Sequence, residues 1–246
     1  MHEDIVVLLT ATVNVRGVSF MKRSDPQVRL KDYEQSLRLW LANPDSPTLI
    51  FCENSGYNLT PLMRIYKECN PYSKKAEFLS FDGNNYARDL GKGYGEIQTI
   101  DYALQHSKFI GSDTMVIKVT GRYYIANVAS IQRGIWNGPK TEVYCNLQTN
   151  LTVADTRIFC ASVSFLKKFL FAMQEIANDS QGIYIEHILA RATHQCMAQG
   201  LGWSLLPCYP DIRGVSGTND AIYSVSIFSR LKRNFIQGLK AAILAR

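Results

Sequence analysis

The sequence predicts an α/β fold in which helices flank a mostly parallel central sheet, and three observations carry that expectation. Short continuous apolar runs recur at residues 5–9 (IVVLL), 48–52 (TLIFC) and 115–119 (MVIKV). Runs of this kind mark strands buried on both faces. Between them lie stretches with helical spacing, and the order strand, helix, strand, helix, strand calls for right-handed parallel crossovers.

The first run opens into the polar loop Thr10-Ala-Thr-Val-Asn-Val-Arg16. Residues 32–41 put Tyr33, Leu37 and Leu41 on one helical face, and Asn43-Pro44 and Pro47 close that helix. The second strand ends in Glu53-Asn54-Ser55-Gly56, and residues 59–69 form a helix with Thr60 as N-cap and Pro61 at its first position. Residues 76–81 are a third strand. A glycine-rich turn, Gly91 to Gly95, precedes a helix over 96–107 whose stripe is Ile97, Ile100, Ala103 and Leu104. After strand 115–119, the segment Thr120-Gly-Arg-Tyr-Tyr-Ile125 crosses the edge of the sheet. Beyond Asn127 the pattern weakens: an edge strand at 142–147, another at 156–160, helices at 163–176 and 183–197, and a loop at 200–217. Residues 229–246 align Leu231, Phe235, Leu239 and Ile243 against a basic remainder, a basic amphipathic C-terminal helix. The organisation is one domain over 1–228 followed by this helix.

The 246 residues are 46% apolar and 20% charged, an ordinary globular composition. Lys and Arg exceed Asp and Glu by 27 to 21, a net +6 that favours an anionic partner: a phosphorylated small molecule, an acidic membrane surface or nucleic acid. The six cysteines include no C-x-x-C pair and sit largely in apolar runs, so they read as reduced core thiols of a cytosolic protein. The acidic start and the five-residue run that follows it suit neither a signal peptide nor a spanning helix.

Gly91-Lys92-Gly93-Tyr94-Gly95-Glu96 has neither the G-x-G-x-x-G spacing of a dinucleotide site nor a P-loop ending. Two readings stand: backbone N–H groups and Lys92 meeting a phosphate at a helix start, or a tight connection only. In Lys118-Val-Thr120-Gly121-Arg122 the cations are costly to desolvate without an anion, which is a ligand phosphate or a structural partner such as Glu53 or Glu96. Asp155 and Arg157 flank a threonine and form either part of the site or a capped turn. Glu186, beside His187 on a helix, is a general base or a solvated face. His2, His106 and His194 lack metal-ligand spacing.

Strand 1 with its Thr-Ala loop, Phe51-Cys-Glu-Asn54, Lys92-Gly-Tyr-Gly-Glu96, Ile117-Lys-Val-Thr-Gly-Arg-Tyr123, Ala154-Asp-Thr-Arg157 and Ile185-Glu186 together resemble bacterial capsule and lipopolysaccharide (O-antigen) glycosyltransferases with a GT-A-like, Rossmann-like fold, over about residues 5 to 190. The resemblance implies a hexosyltransferase that takes a nucleotide-diphosphate sugar, UDP-sugars foremost, to a saccharide or lipid-linked acceptor. It implies a nucleotide-sugar site of Thr10, Ala11, Arg16, Glu53, Asn54, Lys92, Gly93, Gly95, Glu96, Lys118, Thr120, Gly121, Arg122 and Arg157, with Glu96 near the ribose. Glu186 is then the first candidate base and Asp155 the second, either giving inversion. Most relatives hold the diphosphate through a metal at an Asp-x-Asp motif ending the strand at 115–119. This chain has no acidic pair there, so no metal cofactor is expected, and Lys118 and Arg122 neutralise the diphosphate instead. The implied location is cytoplasmic and peripheral on the inner membrane, where a basic helix meets anionic lipid. A sugar nucleotidyltransferase would want a longer glycine-rich loop after strand 1 and acidic metal ligands. A nucleic-acid-binding module would want a dense basic face, whereas the cations here are dispersed until the last helix.

Overall fold

Seven consecutive buried residues, Ile5–Ala11 (β1), lie inside a seven-stranded sheet because each of their faces has a hydrophobic layer to meet. Val7 and Leu9 pack into one core cluster, Val6 and Leu8 into the other. The computed structural model describes residues 4–15, 23–217, 220–223 and 232–239. After β1 come α1 (Pro26–Leu41), β2 (Thr48–Glu53), α2 (Thr60–Glu68), β3 (Ala76–Ser80), α3 (Gly91–His106) and β4 (Met115–Thr120). There follow β5 (Tyr124–Ile125), α4 (Val128–Asn137), β6 (Val143–Tyr144), β7 (Leu147–Gln148), β8 (Val153–Ala154) and β9 (Ile158–Ser162). Then come α5 (Val163–Phe165), α6 (Ile185–Ala198), β10 (Trp203–Ser204), β11 (Ile212–Val215) and β12 (Ile222–Tyr223).

The sheet order is β10-β6-β9-β4-β1-β2-β3. Its pairings are parallel except where β9 runs against β4 and β6, which is the mostly parallel α/β architecture the sequence predicts. Helices α1, α2 and α4 cover one face, while α3, α6 and the helical segment 163–170 cover the other.

Several boundaries differ from expectation, each for a local reason. Helix α1 starts six residues early because Asp25 accepts from Gln27 N and Val28 N and Pro26 takes the first position. Leu59, not Thr60, is the N-cap of α2, and Thr60 Oγ1 instead donates to Asn58 Oδ1 at 2.7 Å. Helix α4, absent from the sequence expectation, buries Val128, Ile131 and Ile135 on one side. β6 is an interior strand between β9 and β10. The expected helix at 163–176 is one turn of α-helix, then π-helix Leu166–Leu170, then 3₁₀-helix Phe171–Ile176. The loop at 200–217 contains β10 and β11. Of the C-terminal helix, residues 232–239 are described and helical, and the rest of 229–246 lies outside the described residues.

Parallel pairing brings the strand ends to one edge. Thr10 lies opposite Thr120, and Ala11 opposite Glu53. Because β9 is antiparallel, its beginning reaches the same edge, where Thr120 N donates to Arg157 O at 3.1 Å. Gly121 folds back over β1 so closely that a Cβ there would lie 2.8 Å from Thr10 O.

Candidate active site

A cavity of about 300 Å³ opens at this edge, where the ends of β1 and β4 meet the starts of α3, β9 and α6. Of the residues singled out in the sequence, Thr10, Ala11, Asn54, Lys92, Gly93, Glu96, Thr120, Arg122, Arg157 and Glu186 line it. Arg16 lies outside the described residues.

Five singled-out residues are not in the lining. Glu53 is fully buried, and its carboxylate organises the loop after β2: Oε1 accepts from Val13 N and Ser55 N, both at 2.9 Å, and from Ser55 Oγ. Its Oε2 accepts from Tyr57 N at 2.9 Å and Ser80 Oγ at 3.2 Å. With that many donors the carboxylate serves the fold, not a nucleotide. Lys118 is also fully buried, with Nζ 2.5 Å from Glu96 Oε1 and donating to Thr156 O at 2.7 Å. It is therefore the structural partner of Glu96 and does not face a diphosphate. Asp155 holds Arg157 in a fork, Oδ1 accepting from Nε at 2.9 Å and Oδ2 from Nη2 at 2.7 Å, which leaves it poorly placed to act as a base. Gly95 and Gly121 act by omission of a side chain. Gly95 makes room for the Tyr86 hydroxyl, and Gly121 for Thr10 O.

The glycine-rich stretch is not a turn before the helix. Helix α3 begins at Gly91, so the glycines lie within its first turns. They pack: a Cβ on Gly93 would come 3.0 Å from Ile185 N at the start of α6, and one on Gly91 (φ 77°) would run into the Asp179 carboxyl. Asp179 Oδ2 already accepts from Lys92 N at 3.1 Å, so a protein carboxylate occupies the position assigned in the sequence to a phosphate. Burial raises the Asp179 carboxyl above its ordinary pKa, against the hydrogen bond and charge of Lys92. Its Oδ1 is buried with no hydrogen-bond partner among the described residues.

Arg122 is the other exception to hydrogen-bond satisfaction at the cavity. Its Nε is buried and unpartnered, and among the described residues it makes no ion pair. The guanidinium lies 5.4 Å from the Tyr123 ring centre, and Gly217 packs against it so tightly that a Cβ would be 2.8 Å from Nη2. Arg29, from α1, is nearly buried as well, and its partners are neutral: Thr12 O at 2.6 Å, Arg23 O at 3.1 Å and Tyr33 Oη at 3.0 Å. Glu186 Oε1 accepts from Thr156 Oγ1 at 3.0 Å. His187 is engaged elsewhere: its Nδ1 accepts from Tyr184 N at 3.2 Å and caps α6.

Sequence reasoning missed Arg29, Tyr33, Tyr86, Tyr123, Asp179, Tyr184 and Tyr223 as lining residues. Tyr33 had a signal in plain view. It lies on the apolar face of α1, where a hydroxyl needs a buried partner, and it finds Thr12 and Arg29. Asp179 opens a single 3₁₀ turn, Asp179–Gln181, with no comparable signal.

The fit of a divalent metal can be judged from the donors. β4 ends in Thr120-Gly-Arg122 with no acidic pair, Glu96 Oε1 is held by Lys118, and among the described residues no group of three His, Cys, Asp or Glu side chains is placed to hold a metal ion. This donor set among the described residues does not suit a resident metal ion.

No protein-family model and no curated protein sequence matches this chain. Among solved structures it is similar to a mannosyltransferase from Pyrobaculum calidifontis in complex with GDP-Man and Mn2+, at 10% identity and TM-score 0.49, over 97% of this chain and 64% of that one. It is also similar to a cytidylyltransferase from Leptospira borgpetersenii, at 14% identity and TM-score 0.46, over 85% and 77%. A third is S. aureus TarS 1-349 in complex with UDP, at 11% identity and TM-score 0.38, over 96% and 66%. This chain thus spans less than two thirds of the mannosyltransferase. Likenesses this distant assign no activity.

Proposed function

We propose that the cavity binds a nucleotide-diphosphate sugar, UDP-sugars first, and transfers the sugar to a hydroxyl of a saccharide or lipid-linked acceptor, as in bacterial surface polysaccharide synthesis. The observation that carries this reading is Arg122: a guanidinium at the end of a parallel strand, in a cavity wall, with a buried nitrogen that lacks an acceptor among the described residues. A buried donor left without a partner costs about 1–3 kcal/mol. A phosphate oxygen supplies the missing acceptor and a charge-assisted bond.

In this reading the diphosphate lies against Arg122, with Arg29 adding positive potential from α1. The acceptor oxygen forms a bond to the anomeric carbon while the bond from that carbon to the diphosphate oxygen breaks. The acceptor proton passes to Glu186, whose Oε1 is oriented by Thr156 and whose Oε2 has no partner among the described residues. The electron pair leaves on the nucleoside diphosphate, where Arg122 stabilises it. One displacement of this kind inverts the anomeric centre.

Thermal-shift measurements with UDP-, GDP- and CMP-sugars, with and without EDTA, test the reading. A ligand at about 100 times its Kd stabilises the native state by about 2.7 kcal/mol, which for a chain of this size is about 5–10 °C. The expected result is such a shift with one nucleotide class, unchanged by EDTA. Stabilisation by nucleoside triphosphates with Mg2+ and by no nucleotide sugar would contradict it.

A further inference from the structure

The helix at 232–239 meets the rest of the chain through its polar side. Asn234 Oδ1 accepts from Tyr209 N at 2.8 Å, Gln237 Nε2 donates to Leu206 O, and Arg233 Nη1 donates to Tyr209 Oη at 2.8 Å. Gln237 is only 7% exposed. At about 100° per residue these three share one side of the helix. Phe235, Ile236 and Leu239 fall on the opposite side with Lys232 among them, and they are 68%, 41% and 50% exposed. A surface helix that serves its own core has the reverse orientation. Here the apolar stripe faces outward, and three of the twelve exposed large apolar residues among those described crowd into eight positions.

Charge selects what covers this face. From residue 221 to the end the sequence holds Arg230, Lys232, Arg233, Lys240 and Arg246 and no Asp or Glu, so five of the six net positive charges lie in this tail. A second copy of the same helix would bring like charges together. An anionic phospholipid surface offers both acyl chains for the stripe and headgroups for the cations. No helix among the described residues is long and apolar enough to cross a membrane, so contact by this helix would be interfacial.

We infer that the helix at 232–239 docks the chain on an anionic phospholipid surface, with Phe235, Ile236 and Leu239 at the level of the acyl boundary and Lys232 among the headgroups. This inference is independent of the reaction proposed for the cavity. Sedimentation of the 246-residue chain with phosphatidylcholine vesicles, with and without phosphatidylglycerol, tests it. The expected result is binding to the anionic vesicles only, weakening as salt rises. Lys232→Glu lowers the partition coefficient at least about fivefold, and Phe235→Ser with Leu239→Ser lowers it at least about tenfold. Both variants keep the wild-type melting temperature, since the altered side chains are exposed. Equal binding to neutral vesicles, or binding unchanged in both variants, overturns the inference. So does a chain that ignores vesicles while analytical ultracentrifugation shows a dimer that the double substitution dissociates, because the stripe is then a protein interface.

Discussion

The two sides of the cavity are built from opposite faces of the sheet, and their charged side chains differ in how they are partnered. On the α1 side stand Arg29 and Arg122, neither ion-paired among the described residues. On the side of α3 and α6 stand Glu96, Asp179 and Glu186, where Glu96 is held by Lys118 and Asp179 by Lys92 N. Location in the cavity therefore does not decide a role; the partner already present does. Lys118 and Arg122 make the point most sharply, four residues apart at the end of β4. One has a carboxylate and a carbonyl, and the other, in the cavity wall, has a buried Nε without an acceptor among the described residues.

Glu186→Gln should have the largest effect on the acidic side. Loss of a general base lowers kcat about 10²–10⁴-fold, while donor binding, read by thermal shift, stays within about twofold of wild type. Retained turnover with the same donor binding would pass the role to Asp179.

Lys118→Met probes the paired cation. Removing one member of a buried ion pair leaves Glu96 uncompensated and is expected to cost about 3–5 kcal/mol of stability, measured by urea denaturation. A loss of nucleotide affinity without a loss of stability would move Lys118 from the fold into the site.

Much of this contrast was hidden from the sequence, and the reasons are physical. The strands β1, β2 and β4 were legible because burial on both faces leaves continuous apolar runs, and their parallel order followed from the intervening helices. The glycines were legible as special but not as what they are, since the atoms they make room for, in Tyr86, Asp179 and Ile185, are distant in sequence or in irregular segments. Lys118 was correctly seen as costly to bury, yet which carboxylate meets it is a matter of tertiary geometry. Glu53 looked like a ligand-facing strand end and proved to be the hub of its own loop. The helix α4 was missed although Val128, Ile131 and Ile135 have helical spacing, because the short strands after it obscure the period.

The smallest expected effect is at Asp179. Its folded pKa is raised by burial, so the native state holds its proton more tightly than the unfolded state does, and this group's contribution to stability falls as pH rises from the ordinary carboxylate value through the folded one. Asp179→Asn removes that loss while keeping an acceptor for Lys92 N. The variant should be more stable than wild type in urea denaturation at neutral pH, with the gap closing below the ordinary carboxylate pKa. A variant less stable at neutral pH would show that the carboxylate charge supports the start of α3.

Arg122, whose Nε has no acceptor among the described residues, is the group proposed to hold the diphosphate. Calorimetric titration of the stabilising nucleotide sugar into wild type and Arg122→Ala, both in EDTA, tests it most directly. The expected result is a folded variant with the wild-type circular dichroism spectrum and an affinity at least about 100-fold weaker, the range for losing a buried charged hydrogen-bond partner. An affinity unchanged by the substitution would contradict it.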